Sequence, residues 1–333
     1  MPSLPRIKRP RSRTRAEEPV LATRREPAEL SANGLTWIHL DAPDHEVATE
    51  LAERSGWHAL DVEDVLSKRQ RPKVDEYPDY LFGVLHFPFY DKAVQRLNAA
   101  ELDFFVGQDY LVTLPTVELL PVSRLFQRCN DDDELRESLF SKGSGYLLYH
   151  VLDDLFDYCF PILDKIGFKL DSIEDDVFEG RSEEVVRDIS NVKQEIISYR
   201  KIVKPQRPAL RLLERRMERF LPEQLELYFD DLVDASERVW DVLDNYKEVS
   251  EALESTNEQV LSHRFNDVLR ILTVFSIVFL PATLIASLWG MNVGLPGGGD
   301  PASASTLEFW LIIAASITLI AGMLIFFRRK RWL

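Results

Sequence analysis

Two stretches near the end of this 333-residue chain contain no charged side chain: residues 271–292, ILTVFSIVFLPATLIASLWGMN, and residues 309–327, FWLIIAASITLIAGMLIFF. A helix needs about 20 residues to cross roughly 30 Å of hydrocarbon, and each run has that length. One such run would also suit the core helix of a soluble protein. Two of them, 16 residues apart at the end of an otherwise charged chain, point to an integral membrane protein. The mean hydropathy of -0.16 conceals them by averaging over the charged remainder. Arg264 and Arg270 precede the first run, and Arg328, Arg329, Lys330 and Arg331 follow the second. The loop at 293–308 has Asp300 and Glu308 but no Lys or Arg. The positive-inside rule therefore predicts a multi-pass protein of the cell (inner) membrane, with both termini cytoplasmic and the loop outside.

The charge is as uneven as the hydropathy. Asp and Glu number 55 against 40 Lys and Arg, for a net charge of -15, which argues against a nucleic-acid partner. Residues 1–34 read as a disordered basic tail without the apolar core of a signal peptide, either solvated or in contact with anionic lipid. Setting aside that tail (net +4) and the terminal Arg-Arg-Lys-Arg (+4) leaves -23 on the middle of the chain. Acids gather at 171–176 with Glu179, and at Asp230, Asp231, Asp234, Glu237, Asp241 and Asp244. Cys129 and Cys159 form no CxxC and no disulfide framework.

Between tail and membrane the chain divides into distinct regions. Residues 35–143 predict a cytoplasmic α/β domain. TWIHLD, LFGVLHFPFY, LDFFVG and YLVTLP read as strands, the last two joined by a hairpin at Gly107-Gln108-Asp109, and a helix runs from about His45 to Gly56. Residues 144–222 predict a helical region, with helices at about 146–178 and 182–217. Pro205 and Pro208 are expected to bend or break the second. Residues 223–270 read as a stalk helix continuous with the first span (271–292), followed by the loop (293–308), the second span (309–327) and a basic cytoplasmic end (328–333). A single helix over 223–292 would be about 105 Å long. No small domain supports such a helix alone, so the stalk is expected to pack against copies of itself.

The residues Gly290-Met291-Asn292 close the first of the two spans. With Ser262-His263-Arg264-Phe265-Asn266-Asp267-Val268, the run TVFSIVFLPATLIA, the terminal Trp332-Leu333, and Glu63-Asp64-Val65-Leu66 followed by Gln70-Arg71-Pro72-Lys73, this pattern resembles the CorA family of divalent-cation channels. The resemblance covers nearly the whole chain after about residue 35. It implies an α+β cytoplasmic funnel on a long helical stalk with two C-terminal transmembrane helices, assembled as a homopentamer. The first span would line the pore and the second would form an outer ring. It also implies an intersubunit regulatory metal site, with Asp91 and Asp231 at the matching positions.

The residues themselves allow the same chemistry. A lone apolar helix cannot conduct an ion, because its backbone polar groups are already bonded to one another, but several copies around an axis can. Asn266, Thr273, Ser276, Thr283, Ser287 and Asn292 would then face water, with Asn266, Thr273 and Thr283 close to one helical face. Mg2+ gives up its water shell reluctantly, so a ring of Asn292 oxygens suits recognition of the hydrated ion. Gly290 would allow close packing beside it and Met291 would pack, so Gly290, Met291 and Asn292 form the expected filter. Taken singly, these residues suit an ordinary helix end. Leu272 and Leu280 suit apolar constrictions. Pro281 would either free the Ile277 carbonyl towards the lumen or simply fit the neighbouring helix.

No GxxxxGK[ST] loop, HExxH or paired Cys/His cluster is present, so no organic cofactor and no enzyme activity are expected. Transport would be passive: a divalent ion gains roughly 4.6 kcal/mol per 100 mV of inside-negative potential. Clustered carboxylates between subunits would repel unless a cation bridges them, so cytoplasmic Mg2+ is the expected gating ligand as well as cargo. The loop VGLPGGGDPASAS looks more like the zinc-transporting branch of the family than the magnesium branch. The expectation is therefore Mg2+, with Co2+ or Ni2+ as further cargo and Zn2+ as the runner-up. A membrane-anchored scaffold or sensor is the alternative of a different class.

Overall fold

The computed structural model describes residues 26–43, 45–67, 70–91, 96–179, 182–221, 227–289 and 306–330. In chain order the elements are β1 (Ala28–Ala32), β2 (Leu35–His39), α1 (His45–Ser55), α2 (Ala59–Leu66), β3 (Lys73–Glu76), β4 (Tyr80–Asp91), β5 (Arg96–Gly107) and β6 (Tyr110–Pro115). There follow α3 (Leu120–Asp131), α4 (Asp133–Phe140), α5 (Ser144–Glu179), α6 (Ser182–Met217), α7 (Leu227–Trp289) and α8 (Thr306–Arg329). They fall into two compact units. One comprises the chain up to Lys169 with Val192–Glu248, and the other comprises Leu170–Asn191 with everything from Val249.

The first unit is built on a six-stranded sheet of order β1-β2-β6-β5-β4-β3, antiparallel except where β2 meets β6. Its longest pairing is β4 with β5, in register from Tyr80 opposite Gly107 to Asp91 opposite Arg96. Both faces of β4 are apolar because both are covered. On one face Phe82, Val84, Phe105, Val112 and Leu114 pack with Val47 and Leu51 of α1, Trp57, and Val65 of α2. On the other, Trp37 meets Phe126 of α3 edge-on at 5.0 Å and Phe87 meets Phe156 of α5 at 5.4 Å.

Two expectations are corrected here. The tail does not run to residue 34, because β1 occupies Ala28–Ala32 and pairs with β2 in register. The cause is Asn33-Gly34, whose φ values of 52° and 79° are those of the tight hairpin turn that this dipeptide favours. Arg54 of α1 then clasps Glu29 through both guanidinium nitrogens, at 2.6 and 3.2 Å. Of the two outcomes expected at Pro205 and Pro208, a break in the second long helix does not occur, since α6 continues through both. An interior proline costs about 3 kcal/mol. Tertiary contacts around the two prolines offset that cost. Ile202, Val203, Ala209 and Leu210 are buried, and the Gln206 side-chain oxygen Oε1 accepts from the His86 backbone N–H of β4 at 3.2 Å. Arg200 pairs with Asp244 and Arg207 with Glu237 of α7, and both guanidiniums lie over the Trp240 ring, at 4.3 and 5.1 Å.

In the second unit, Val274 and Val278 of α7 pack with Phe327, Ile320 and Met323 of α8. Most of the other apolar residues along both helices stand exposed in the single chain, among them Phe275, Phe279, Leu284, Trp310, Ile317 and Phe326. Such a surface needs lipid or further helices to cover it.

Asp103, in the middle of β5, is fully buried, and neither carboxylate oxygen has a hydrogen-bond partner. Burial pushes its carboxyl well above the usual range. Glu101 and Asp64 push the same way, and Lys73 opposes them. The unfolded chain gives up this proton near pH 4 while the folded chain keeps it, so the residue's contribution to stability falls as pH rises through that window. We expect Asp103→Asn to gain stability relative to wild type as pH is raised from 4 to 8, read as thermal unfolding of the solubilised chain. A difference that stays constant with pH would contradict this.

Candidate functional site

At about 100° per residue, the contact with α8 fixes how α7 is turned. Pro281 and Ile285 lie within about 20° of Val274, on the α8 side. Ile277 belongs to the same side and lines a groove with Ala315, Leu319 and Gly322. Proline and groove therefore share the face towards the neighbouring helix, which fits the second of the two roles considered for Pro281. Leu272, Ser276 and Thr283 fall roughly 160–200° from Val274, and Leu280 and Ser287 within about 240°. Leu272 and Leu280 are 61% and 68% exposed, against 2% and 3% for Val274 and Val278. Asn266 and Thr273 lie on the flank, about 80–100° from Val274. Gly290, Met291 and Asn292 lie outside the described residues.

Three hydroxyls in the apolar stretch of this helix share a polarity. Thr273 donates to the Leu269 carbonyl at 2.7 Å, Ser276 to Leu272 at 2.9 Å and Thr283 to Phe279 at 2.9 Å. With the proton turned back onto the helix, each oxygen offers its remaining lone pair outward as an acceptor. That polarity suits a cation or the protons of its water shell.

A separate set of candidate residues lies in the first unit. Asp91 ends β4, opposite Arg96, with the Asn98 amide donating to it at 3.3 Å. Asp231 stands exposed in the first turns of α7, where its charge acts on Tyr149 and Asp153 of α5. Burial, with repulsion from Asp157, Asp231 and Asp154, pushes Asp153 up to about 6, while a Tyr149 hydrogen bond opposes the shift. Asp153 did not emerge from the sequence. Its signal was the i,i+4 pair Asp153 and Asp157 inside the apolar run VLDDLFDY, and only the tertiary fold brings Asp231 opposite it.

One further carboxylate group has metal-like spacing. Oxygens of Asp61, Asp64 and Asp75 lie within 4.8 Å of one another. Lys73 already fills this site: its ammonium bonds Asp64 at 2.6 Å and also Asp75. Asp61 accepts from Tyr77 and Tyr80 at 2.9 and 2.7 Å. In the motif Glu63-Asp64-Val65-Leu66 with Gln70-Arg71-Pro72-Lys73, Asp64 and Lys73 thus form an internal ion pair that holds α2 to β3.

The family model described as CorA-like Mg2+ transporter protein matches residues 32–329. The chain is 27% identical over 308 residues to the cobalt/magnesium transport protein CorA of Thermotoga maritima, an alignment covering 90% of this chain and 83% of the relative. It is 20% identical over 306 residues to the zinc transport protein ZntB of Yersinia pseudotuberculosis, covering 92% and 90%. Among solved structures, the CorA magnesium transporter of Methanocaldococcus jannaschii superposes with a TM-score of 0.78 at 23% identity, covering 92% of this chain and 94% of that one. At that identity the likeness establishes the fold, a soluble α/β domain followed by a long helix.

The orientation of α7 is open to chemical test. Cys129 and Cys159 are buried, their thiols pushed up to about 11 and about 12, so the native background is unreactive. Cysteines at Leu272, Ser276, Leu280 or Thr283 should react with a water-soluble thiol reagent in membranes, whereas Val274→Cys and Val278→Cys should be protected. The reverse pattern would mean that α7 is turned the other way.

Proposed function

The chain belongs to the CorA-like Mg2+ transporter family, divalent-cation transporters of membranes and not enzymes, and we propose that it works as a passive Mg2+ channel built from five copies. The observation that carries this reading is the division of α7 into two faces. One is occupied by α8. The other bears Leu272, Ser276, Leu280 and Thr283, exposed in a single chain and complete only when copies surround an axis. The hydroxyl oxygens would face a water-filled lumen, where outward acceptors stabilise a hydrated cation. Leu272 and Leu280 would narrow the lumen and let it dewet. Gly290, Met291 and Asn292 would form the filter at the outer end, with the Asn292 oxygens accepting from the protons of shell waters, so that Mg2+ is selected without dehydration. Both termini would lie in the cytoplasm, and the inside-negative potential would drive entry.

The gate in this reading is the acidic belt. Asp91 of one subunit and Asp231 of the next, with Asp153 beside it, offer hard oxygen ligands of the kind Mg2+ takes. An ion bound there would cancel the repulsion between carboxylates and hold the subunits together. Its loss would let them separate and open the pore. Zn2+ is the second cargo, supported by the similarity to ZntB and by the Gly- and Pro-rich loop. The polar side chains proposed to line the lumen present oxygen, which favours Mg2+ over a metal that prefers nitrogen or sulfur.

The test is uptake of Mg2+, Co2+ and Zn2+ into liposomes holding the full chain, at low internal Mg2+. Mg2+ should enter, and Asn292→Ala should lower its uptake by about tenfold, equivalent to ~1.4 kcal/mol. Uptake of Zn2+ alone would favour the second reading, and no uptake of any ion would favour an anchored scaffold. In the same vesicles, Asp231→Asn with Asp153→Asn should leave uptake running at internal Mg2+ levels that close the wild type.

A further inference from the structure

In the second unit α7 and α8 touch along one seam, with Val274 and Val278 against Phe327, Ile320 and Met323. Beside the seam the two surfaces part. They leave a groove walled by Ile277 of α7 and by Ala315, Thr318, Leu319, Gly322 and Phe326 of α8. A Cβ placed on Gly322 would meet nothing within 4 Å, so the groove is open there. The Thr318 hydroxyl donates to the Ala314 carbonyl of its own helix at 2.8 Å. The groove therefore presents hydrocarbon contact, with the threonine proton already spent on the helix.

The length of the groove and the chemistry at its end point to one kind of occupant. Ala315, Leu319, Gly322 and Phe326 recur at helical spacing and form one stripe along α8. At 1.5 Å per residue that stripe is about 17 Å long. A single leaflet contributes half of roughly 30 Å of hydrocarbon, so the groove matches the depth of one leaflet. One turn further, Arg329 and Lys330 continue the same stripe, and both are exposed. The Lys330 amide still bonds the Phe326 carbonyl at 3.1 Å, which keeps the helical turn. Among the described residues neither cation has an ion pair.

Hydrocarbon over the depth of a leaflet, then two cations at its surface, is the complement of an anionic phospholipid. A second copy of the chain suits the apolar part but not the end. Standing parallel in the same membrane, it brings Arg270, or its own Arg328, Arg329 and Lys330, to about that level. The nearby Asp267 already pairs with Arg270 at 3.4 Å, so like charges would meet.

We propose that the groove between α7 and α8 holds an acyl chain of an anionic phospholipid from the leaflet at the basic end of α8, with the headgroup phosphate on Arg329 and Lys330. Basic pockets between membrane helices hold such headgroups through charge-assisted hydrogen bonds. Salt weakens the headgroup contact and leaves the acyl-chain contact in place. The inference goes beyond the channel reading and does not depend on it, since it needs only α7 and α8 in a bilayer.

Two measurements on the full chain in phosphatidylcholine vesicles test this. In the first, spin-labelled phosphatidylglycerol or phosphatidylcholine is added in trace amount, and the immobilised fraction reports how tightly each is held. Wild type should hold phosphatidylglycerol roughly tenfold more tightly at low salt, and Arg329→Gln with Lys330→Gln should bring the two lipids level. Gly322→Leu enters open space and leaves both cations in place. It should weaken the hold on phosphatidylglycerol by roughly fourfold for each methylene it displaces. Ala321→Leu, about 100° round the helix, should change nothing. No preference in wild type overturns the proposal. So does a hold that Gly322→Leu leaves intact, because the lipid is then kept by surface charge alone. In the second, phosphatidylglycerol with a photoactivatable group midway along its chain should label Ile277 and Gly322. Labelling confined to the Ile325 side of α8 overturns the proposal, because a second copy then covers the groove.

Discussion

An α-helix spends its backbone hydrogen bonds on itself, so a helix crossing a membrane has only side chains to offer an ion. Whatever α7 does for a cation therefore depends on which side chains face water, and that depends on how the helix is turned. The seam of Val274 and Val278 against Phe327 sets the turn. It assigns one face to α8, together with Pro281 and Ile277, and leaves the face carrying Ser276 and Thr283 exposed among the described residues. The apolar surface around both helices needs lipid or further helices to cover it, and the proposed ring of α7 copies would supply the latter.

The same economy of charge runs through the first unit. Lys73 sits among Asp61, Asp64 and Asp75, Arg54 holds Glu29, and α6 sends Arg200, Arg207 and Arg211 across to α7. Against that background the uncancelled carboxylates around Asp153 and Asp231 stand apart. Those carboxylates are the ones the proposed gate uses, because no basic side chain is paired with them among the described residues. Asp103 is a different case. It is buried within the sheet, where burial favours its neutral form, and it lies apart from those exposed acids.

Much of this was legible in the sequence where one physical signal dominated. The uncharged runs, the alternating aromatic strands and the Gly107-Gln108-Asp109 hairpin follow from composition and local turn chemistry. β1 has a local signal in Asn33-Gly34, a dipeptide that favours tight hairpin turns, although it follows directly on a segment whose composition is that of a basic tail. The continuity of α6 through Pro205 and Pro208 was not readable, because it rests on Gln206 reaching β4 and on arginines reaching α7, contacts 30 or more residues distant. Asp153 was hidden for the same reason: its partner lies on another helix. The pattern Gln70-Arg71-Pro72-Lys73 was quoted only as a resemblance, and it took the fold to show Lys73 as the counter-ion of Asp64.

The central claim is that a ring of α7 faces forms a passive path for a hydrated divalent cation. Its most direct test is Mg2+ entry into sealed vesicles containing the full chain, with no nucleotide on either side and an imposed membrane potential. The account predicts uptake that grows as the interior is made more negative and stops equilibrating uphill once the potential is collapsed. Uptake indifferent to potential, or dependent on added nucleotide, would contradict it.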